Sequence, residues 1–119
     1  MRSSLLIALL LVASATFASP QIYPSGILYM GTGKLSVRVS VYNPDVATVD
    51  AELVLVKDLR QNPKDDILIS SMELRKNQNT TIPVTFDIKN SSKTFYLCVR
   101  SYEKTQAIRD CSVIQQRKI

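Results

Sequence analysis

The most reactive side chains in this sequence are two thiols, Cys98 and Cys111, in the stretch FYLCVRSYEKTQAIRDCSVI. Two thiols can form a redox site, contribute to a metal site, or close a disulfide. A redox pair wants a short Cys-x-x-Cys spacing, and these cysteines lie thirteen positions apart. A structural zinc site wants four ligands, and two cysteines without any histidine are too few. A staple between strands is the expected role. If FYLCVRSY and IRDCSVIQQ form a hairpin centred between Lys104 and Thr105, position 98 directly faces position 111. Facing residues at a non-hydrogen-bonded site have Cα atoms about 4.5 Å apart, within disulfide range. The same register sets Arg100 opposite Arg109, and like charges face to face are destabilising. A bulge or a one-step shift would relieve them.

Other groups suited to chemistry are sparse. The absence of histidine removes the commonest general base and the usual nucleophilic triads. Ser70 and Ser71 sit in strand context with no partner base. Asp65-Asp66 is the sole adjacent carboxylate pair; no ligand spacing supports calcium, so a solvated loop is expected. Of the three glycines, two flank Thr32 in GTG, which reads as a turn and not as a phosphate loop. No catalytic residue, cofactor or metal is expected. Arg100, Lys104, Arg109, Arg117 and Lys118 gather in the last hairpin and tail. They could meet a sulfated glycan or another acidic partner, but a solvated hairpin rim explains them too and is favoured.

The N-terminus points to export. Arg2 precedes the apolar run LLIALLLV, and ATFAS follows with small residues at positions 16 and 18, which fits a signal peptide over residues 1–18. The run is shorter than the roughly 20 residues a membrane span needs, though an uncleaved anchor is the rival reading. A single soluble domain over residues 19–119 is expected, secreted into an oxidising compartment where paired cysteines persist. The formal net charge of +5 falls by one with Arg2, far from the density of a nucleic-acid binder. Two sequons, at Asn79 and Asn90, are candidate N-glycosylation sites.

The elements that position these groups all read as strands. In KLSVRVSVYNP, Leu35, Val37, Val39 and Val41 alternate with polar or larger partners, and Asn43-Pro44-Asp45 closes the run as a turn. ATVDAELVLVKD places Val49, Ala51, Leu53 and Leu55 on one face. ILISSMEL and TTIPVTFDI follow, separated from the preceding strand by the polar loop QNPKDD; in the latter Ile82, Val84, Phe86 and Ile88 face inward. Pro83 has no N–H to donate, so its strand should lie at an edge or place Pro83 where no ladder bond is required. With a first strand over residues 22–30 and the last hairpin, the count is about seven. An all-β, seven-stranded antiparallel, immunoglobulin-like β-sandwich is expected. A true immunoglobulin domain is disfavoured, because there is no tryptophan and both cysteines fall in one hairpin.

The order of these pieces resembles the N-terminal macroglobulin-like domain of the α2-macroglobulin, complement and thioester-protein family. The stretch IYPSGILYMGTGKLSVRVSVYNPD is similar to that family's opening: an extended segment with a proline, a turn, then a valine-rich strand. AELVLVKDL, LRKNQNTTIPVTFDIKN, FYLCVRS and CSVIQQRK match its later strands, so the resemblance covers residues 19–119. The sequence holds neither a bait segment nor a Gly-Cys-Gly-Glu-Gln thioester, so covalent trapping is not implied. What the resemblance implies is a macroglobulin-like module, free-standing or truncated. Such a module would bind an extracellular protein in defence or in modulation of a protease system. A generic secreted adhesion or signalling module, and a small inhibitor acting through a rigid 59–66 loop, are the alternatives.

Overall fold

A computed structural model describes residues 19–30, 33–88 and 94–117. Residues 1–18, the segment read as a signal peptide, together with Asn90 and Lys118, lie outside the described residues. Eight strands occur among those described: β1 (Gln21–Tyr23), β2 (Gly26–Met30), β3 (Gly33–Tyr42), β4 (Val49–Val56), β5 (Ile67–Leu74), β6 (Asn79–Ile88), β7 (Thr94–Glu103) and β8 (Gln106–Arg117). They form a three-stranded sheet, β1-β3-β6, packed on a five-stranded sheet, β2-β8-β7-β4-β5. The fold is an all-β, immunoglobulin-like sandwich. No helix among the described residues is long and apolar enough to cross a membrane.

The single first strand expected over residues 22–30 is two strands. The chain turns at Pro24, which has no N–H to give to a ladder, and the two halves join different sheets. β1 runs antiparallel to β3, whereas β2 runs parallel to β8, so the sandwich is not wholly antiparallel. This crossing raises the count from seven to eight and clips both sheets together at one side. The clip is reinforced by the Ile22 amide, which donates to Asp110 on β8 at 2.8 Å.

Alternation does the rest. Val39 and Val41 of β3, Ala51 and Leu53 of β4, Leu74 of β5, Val84 of β6, Leu97 and Val99 of β7 and Ile114 of β8 fill the space between the sheets. Each fully buried aliphatic chain contributes roughly 1.5–3 kcal/mol relative to exposure. Phe86 and Phe95 meet edge to face at 5.4 Å and link β6 to β7 across the layers. β6 pairs only with β3, so Pro83 does lie on an edge.

Two turns are tied by one buried side chain. Asn43, fully buried after β3, donates through Nδ2 toward the carbonyls of Ala47, Leu74 and Arg75 at 2.9–3.1 Å. Its Oδ1 accepts from the Asp45 amide, and its own amide donates to Gln78. The β3–β4 turn is thereby fixed to the β5–β6 turn.

β4 departs from the expected one-sided burial. Leu55 is only half-buried, while Val54 and Val56 on the opposite face are fully buried. They join Cys98, with Tyr96 and Cys111 against them, in a second apolar cluster on the outer face of the five-stranded sheet. A strand face that should meet water is therefore covered, and what covers it defines the site.

Candidate functional site

The site grows outward from the cysteines. β7 and β8 pair with Cys98 opposite Cys111, Arg100 opposite Arg109 and Glu103 opposite Gln106, the register of a hairpin turning at Lys104 and Thr105. The two thiols are joined, with Cα atoms 4.0 Å apart. Lys104 takes φ of 58°, the left-handed conformation that so tight a turn demands. Neither a bulge nor a shift separates the facing arginines.

A carboxylate separates them instead. Asp66, arriving from the β4–β5 connection, reaches over the outer face and lies between the two guanidinium groups. Its side chain is 0% exposed, against 9% for Arg100 and 13% for Arg109. Arg109 donates through Nη2 at 2.6 Å and Nε at 2.9 Å, Arg100 through Nη1 at 3.1 Å, and Gln61 through Nε2 at 2.8 Å. Asp66 was expected in a solvated loop, and that expectation is corrected. Burying two like charges side by side is tolerable only with an opposite charge between them, and the loop supplies it. Asp65, one residue earlier, stays exposed.

Glu52 on β4 completes the balance. It sits across from Arg100 and accepts from Nε at 3.1 Å and Nη2 at 2.9 Å. Two cations and two anions then sum to zero. Burial lowers the Arg100 pKa, but the hydrogen bond and charge of Glu52, with Tyr102 and Asp66, outweigh that and move it upward. The guanidinium also lies 5.6 Å from the Tyr102 ring centroid.

The arginines also hold the loop's backbone. Arg109 donates to the carbonyls of Leu59 and Gln61, both at 3.3 Å, and Arg100 to that of Pro63 at 2.7 Å. Within residues 57–66, the Asp58 side chain accepts from the Arg60 amide, and the Gln61 amide closes a turn onto the Asp58 carbonyl. Asn62 caps a short 3-10 turn, Pro63–Asp65, through the Lys64 amide. Nearly every turn of the loop is pinned, and its tip presents Leu59 and Arg60 to solvent. The Asp58 carboxyl is held below its ordinary pKa by the Arg60 amide and then by the Arg60 side chain.

This arrangement leaves Asp66 with both oxygens occupied by donors, so it is placed as a structural counter-charge and not as a free base. Of the five basic residues grouped in sequence, Arg100 and Arg109 are turned inward and neutralised, and Lys104 is exposed at the hairpin tip. Among the described side chains, Arg100, Lys104 and Arg109 do not form one cationic patch. Asn79 is exposed at the start of edge strand β6, opposite Tyr42. Among the described residues, no three carboxylate or thiol groups converge as metal ligands. Sequence reasoning missed Glu52, Gln61 and Pro63. The one available signal was the unresolved arginine pair, which called for a carboxylate from elsewhere.

No family model matches the chain, and no curated protein matches it. Solved structures do. The SafA pilin of Salmonella enterica, in complex with the SafB chaperone, superposes with a TM-score of 0.59 at 13% identity, over 87% of this chain and 56% of that one. The chain thus spans little more than half of that pilin chain. The ASH / PapD-like domain of human CEP192 (PapD-like domain 7) gives a TM-score of 0.48 at 12% identity, over 88% of this chain and 92% of that one. At such identities the similarity concerns fold alone, and the chain is an immunoglobulin-like β-sandwich structurally similar to that pilin.

Proposed function

We propose that the chain is a non-catalytic extracellular binding domain, and that the 57–66 loop is its recognition element. The observation that carries this reading is the clamping of that loop by Arg100, Arg109 and Asp66. A surface loop whose backbone is held before a partner arrives loses little conformational freedom on binding, which favours affinity. The clamp is far more elaborate than covering a small apolar cluster requires. The exposed Leu59 and Arg60 supply an apolar contact and a cation, so the partner is an extracellular protein with an acidic, apolar-rimmed pocket. The disulfide is consistent with an oxidising, extracellular setting.

Within this reading, the resemblance to the macroglobulin-like domain supports a role in extracellular defence or in modulating a protease system. The alternative is a generic immunoglobulin- or fibronectin-like adhesion or signalling module. Direct protease inhibition is the less favoured mode. The loop has the rigidity an inhibitor needs, but Leu59 and Arg60 sit in a tight turn, whereas a protease cleft takes its target extended.

The test is affinity capture from the native extracellular fluid with wild-type protein and with a Leu59→Ser/Arg60→Ala variant, read by mass spectrometry. Partners held by the wild type and lost by the variant support the loop as the recognition element. Identical recovery by both removes the loop from the account. Recovery of a protease or a thioester protein favours the defence role, and recovery of receptors or matrix favours adhesion.

A further inference from the structure

A sandwich of this kind exposes rows of unpaired backbone groups along its strand edges, and folds normally guard them with proline, charge, bulges or brevity. The edges here are guarded unequally. β1 has three residues and lies between Pro20 and Pro24. β6 carries Pro83. β5 carries Glu73, and its pairing with β4 slips between Leu53 and Val54, leaving Ile69 as an extra, unmatched residue. The part of β8 before Val113, which β2 does not cover, carries Arg109 and Asp110. β2 has no such guard. Its sequence, GILYM, contains no charge and no proline, and its register with β8 is unbroken. Leu28 is 57% exposed and Met30 53% exposed.

We infer that β2 is a self-association edge, at which two copies of the chain pair antiparallel about a two-fold axis through Leu28. The direction of the backbone supports this register. The Val113 amide donates to the Ser25 carbonyl, so Ser25 points its main-chain groups toward β8. With the two-residue period of a strand, Ile27 and Tyr29 do the same, and Gly26, Leu28 and Met30 point theirs outward. Pairing Leu28 with Leu28 of the second copy puts Gly26 against Met30 and Met30 against Gly26. All three facing pairs then exchange two hydrogen bonds each.

The side chains suit that register. On the outer face, Gly26 leaves room for the long Met30 side chain of the second copy, and Leu28 meets Leu28 on the axis. On the other face Ile27 lies opposite Tyr29, a branched–aromatic pair that favours cross-strand contact. No like charges are opposed. Arg117 of β8 pairs with Met30, so the two copies of it lie at opposite ends of the joined strands. The result is a continuous ten-stranded sheet. One short strand pair falls below the roughly 1,200–2,000 Å² of stable interfaces, so the dimer is weak and concentration-dependent. It uses the opposite edge of the sheet from β5 and is independent of the loop-borne binding proposed above.

The test is sedimentation equilibrium on the purified protein from micromolar to millimolar concentration, together with Leu28→Lys and Ile69→Lys variants. Leu28→Lys would set two cations face to face on the axis; Ile69→Lys alters the other edge. A dimer in the wild type and in Ile69→Lys, with dissociation raised at least tenfold in Leu28→Lys, is the expected result. A wild type that stays monomeric throughout, or a dimer weakened equally by both variants or only by Ile69→Lys, overturns the inference. Hydrogen exchange on the wild type gives a check that needs no variant. The Leu28 and Met30 amides should gain protection as concentration rises, and unchanged exchange alongside dimerisation would place the interface elsewhere.

Discussion

The two faces of the five-stranded sheet are both buried at the β4–β7–β8 centre, yet by opposite means. The inner face is filled by aliphatic side chains from both layers. The outer face is closed by a loop that two arginines and one carboxylate hold down over a small patch containing the disulfide. The aliphatic side is redundant, since many chains share the burial and each can be trimmed at a graded cost. The ionic side is not redundant. Its charges are balanced only while all are present, so losing one strands the others in a place with little water to screen them.

That contrast sets the order of expected effects. Asp66→Asn should be the most damaging, because Arg100 and Arg109 then face each other with Glu52 as the only remaining anion. A loss of about 3–5 kcal/mol is expected in denaturant unfolding, accompanied by faster amide exchange through residues 57–66. A loss under about 1 kcal/mol would mean that the clamp does not hold the outer face. Leu53→Ala, on the inner face, should cost about 3 kcal/mol as a cavity, but leave exchange in the loop unaltered. If the loop loosened to the same extent, the two faces would have to be treated as one cooperative unit.

Joining Cys98→Ala with Cys111→Ala tests the floor of the ionic side. Opening the short closed loop should cost about 2–3 kcal/mol by unfolding free energy, and the guanidinium–carboxylate contacts should survive it. A loss of loop protection as large as in Asp66→Asn would show that the disulfide, and not the ion cluster, sets the position of β8. The smallest effect belongs to a polar group on the inner side. The buried Ser112 hydroxyl has no hydrogen-bond partner among the described residues, so Ser112→Ala should be neutral or stabilising by up to about 1 kcal/mol. A clear destabilisation would reveal that this hydroxyl is satisfied in solution.

The contrast also explains what was legible in the sequence. β3 could be read from Leu35, Val37, Val39 and Val41 because alternation is a local property of the chain. The pairing of Cys98 with Cys111 and the hairpin turn at Lys104–Thr105 could be read for the same reason: both ends lie close in sequence. Pro83 gave away its edge through its missing donor. The break at Pro24 was visible as a proline, but the assignment of its two flanks to different sheets depends on partners far along the chain. Asp66 was unreadable for a related reason. Its burial is decided by Arg100 and Arg109, which lie 34 and 43 residues away. Val54 and Val56 looked like outward positions because the pattern of a strand does not record that a loop will fold across it. The facing arginines were the one sequence-level conflict. A conflict of that kind marks where a distant group must intervene.

The parallel pairing of β2 with β8 has a mechanical consequence. Gly26 lies beside Val113 and Met30 beside Arg117, so chain entering β2 and chain leaving β8 do so at opposite ends of the paired stretch. Tension applied ahead of β2 and beyond β8 pulls the two strands past each other lengthwise, loading their hydrogen bonds together and not one at a time. The Cys98–Cys111 bond lies farther in along β8 and carries covalently any load that passes this clamp, shielding the hairpin beyond it from being drawn out. Under stretching force, resistance should therefore be concentrated in the five residues of β2.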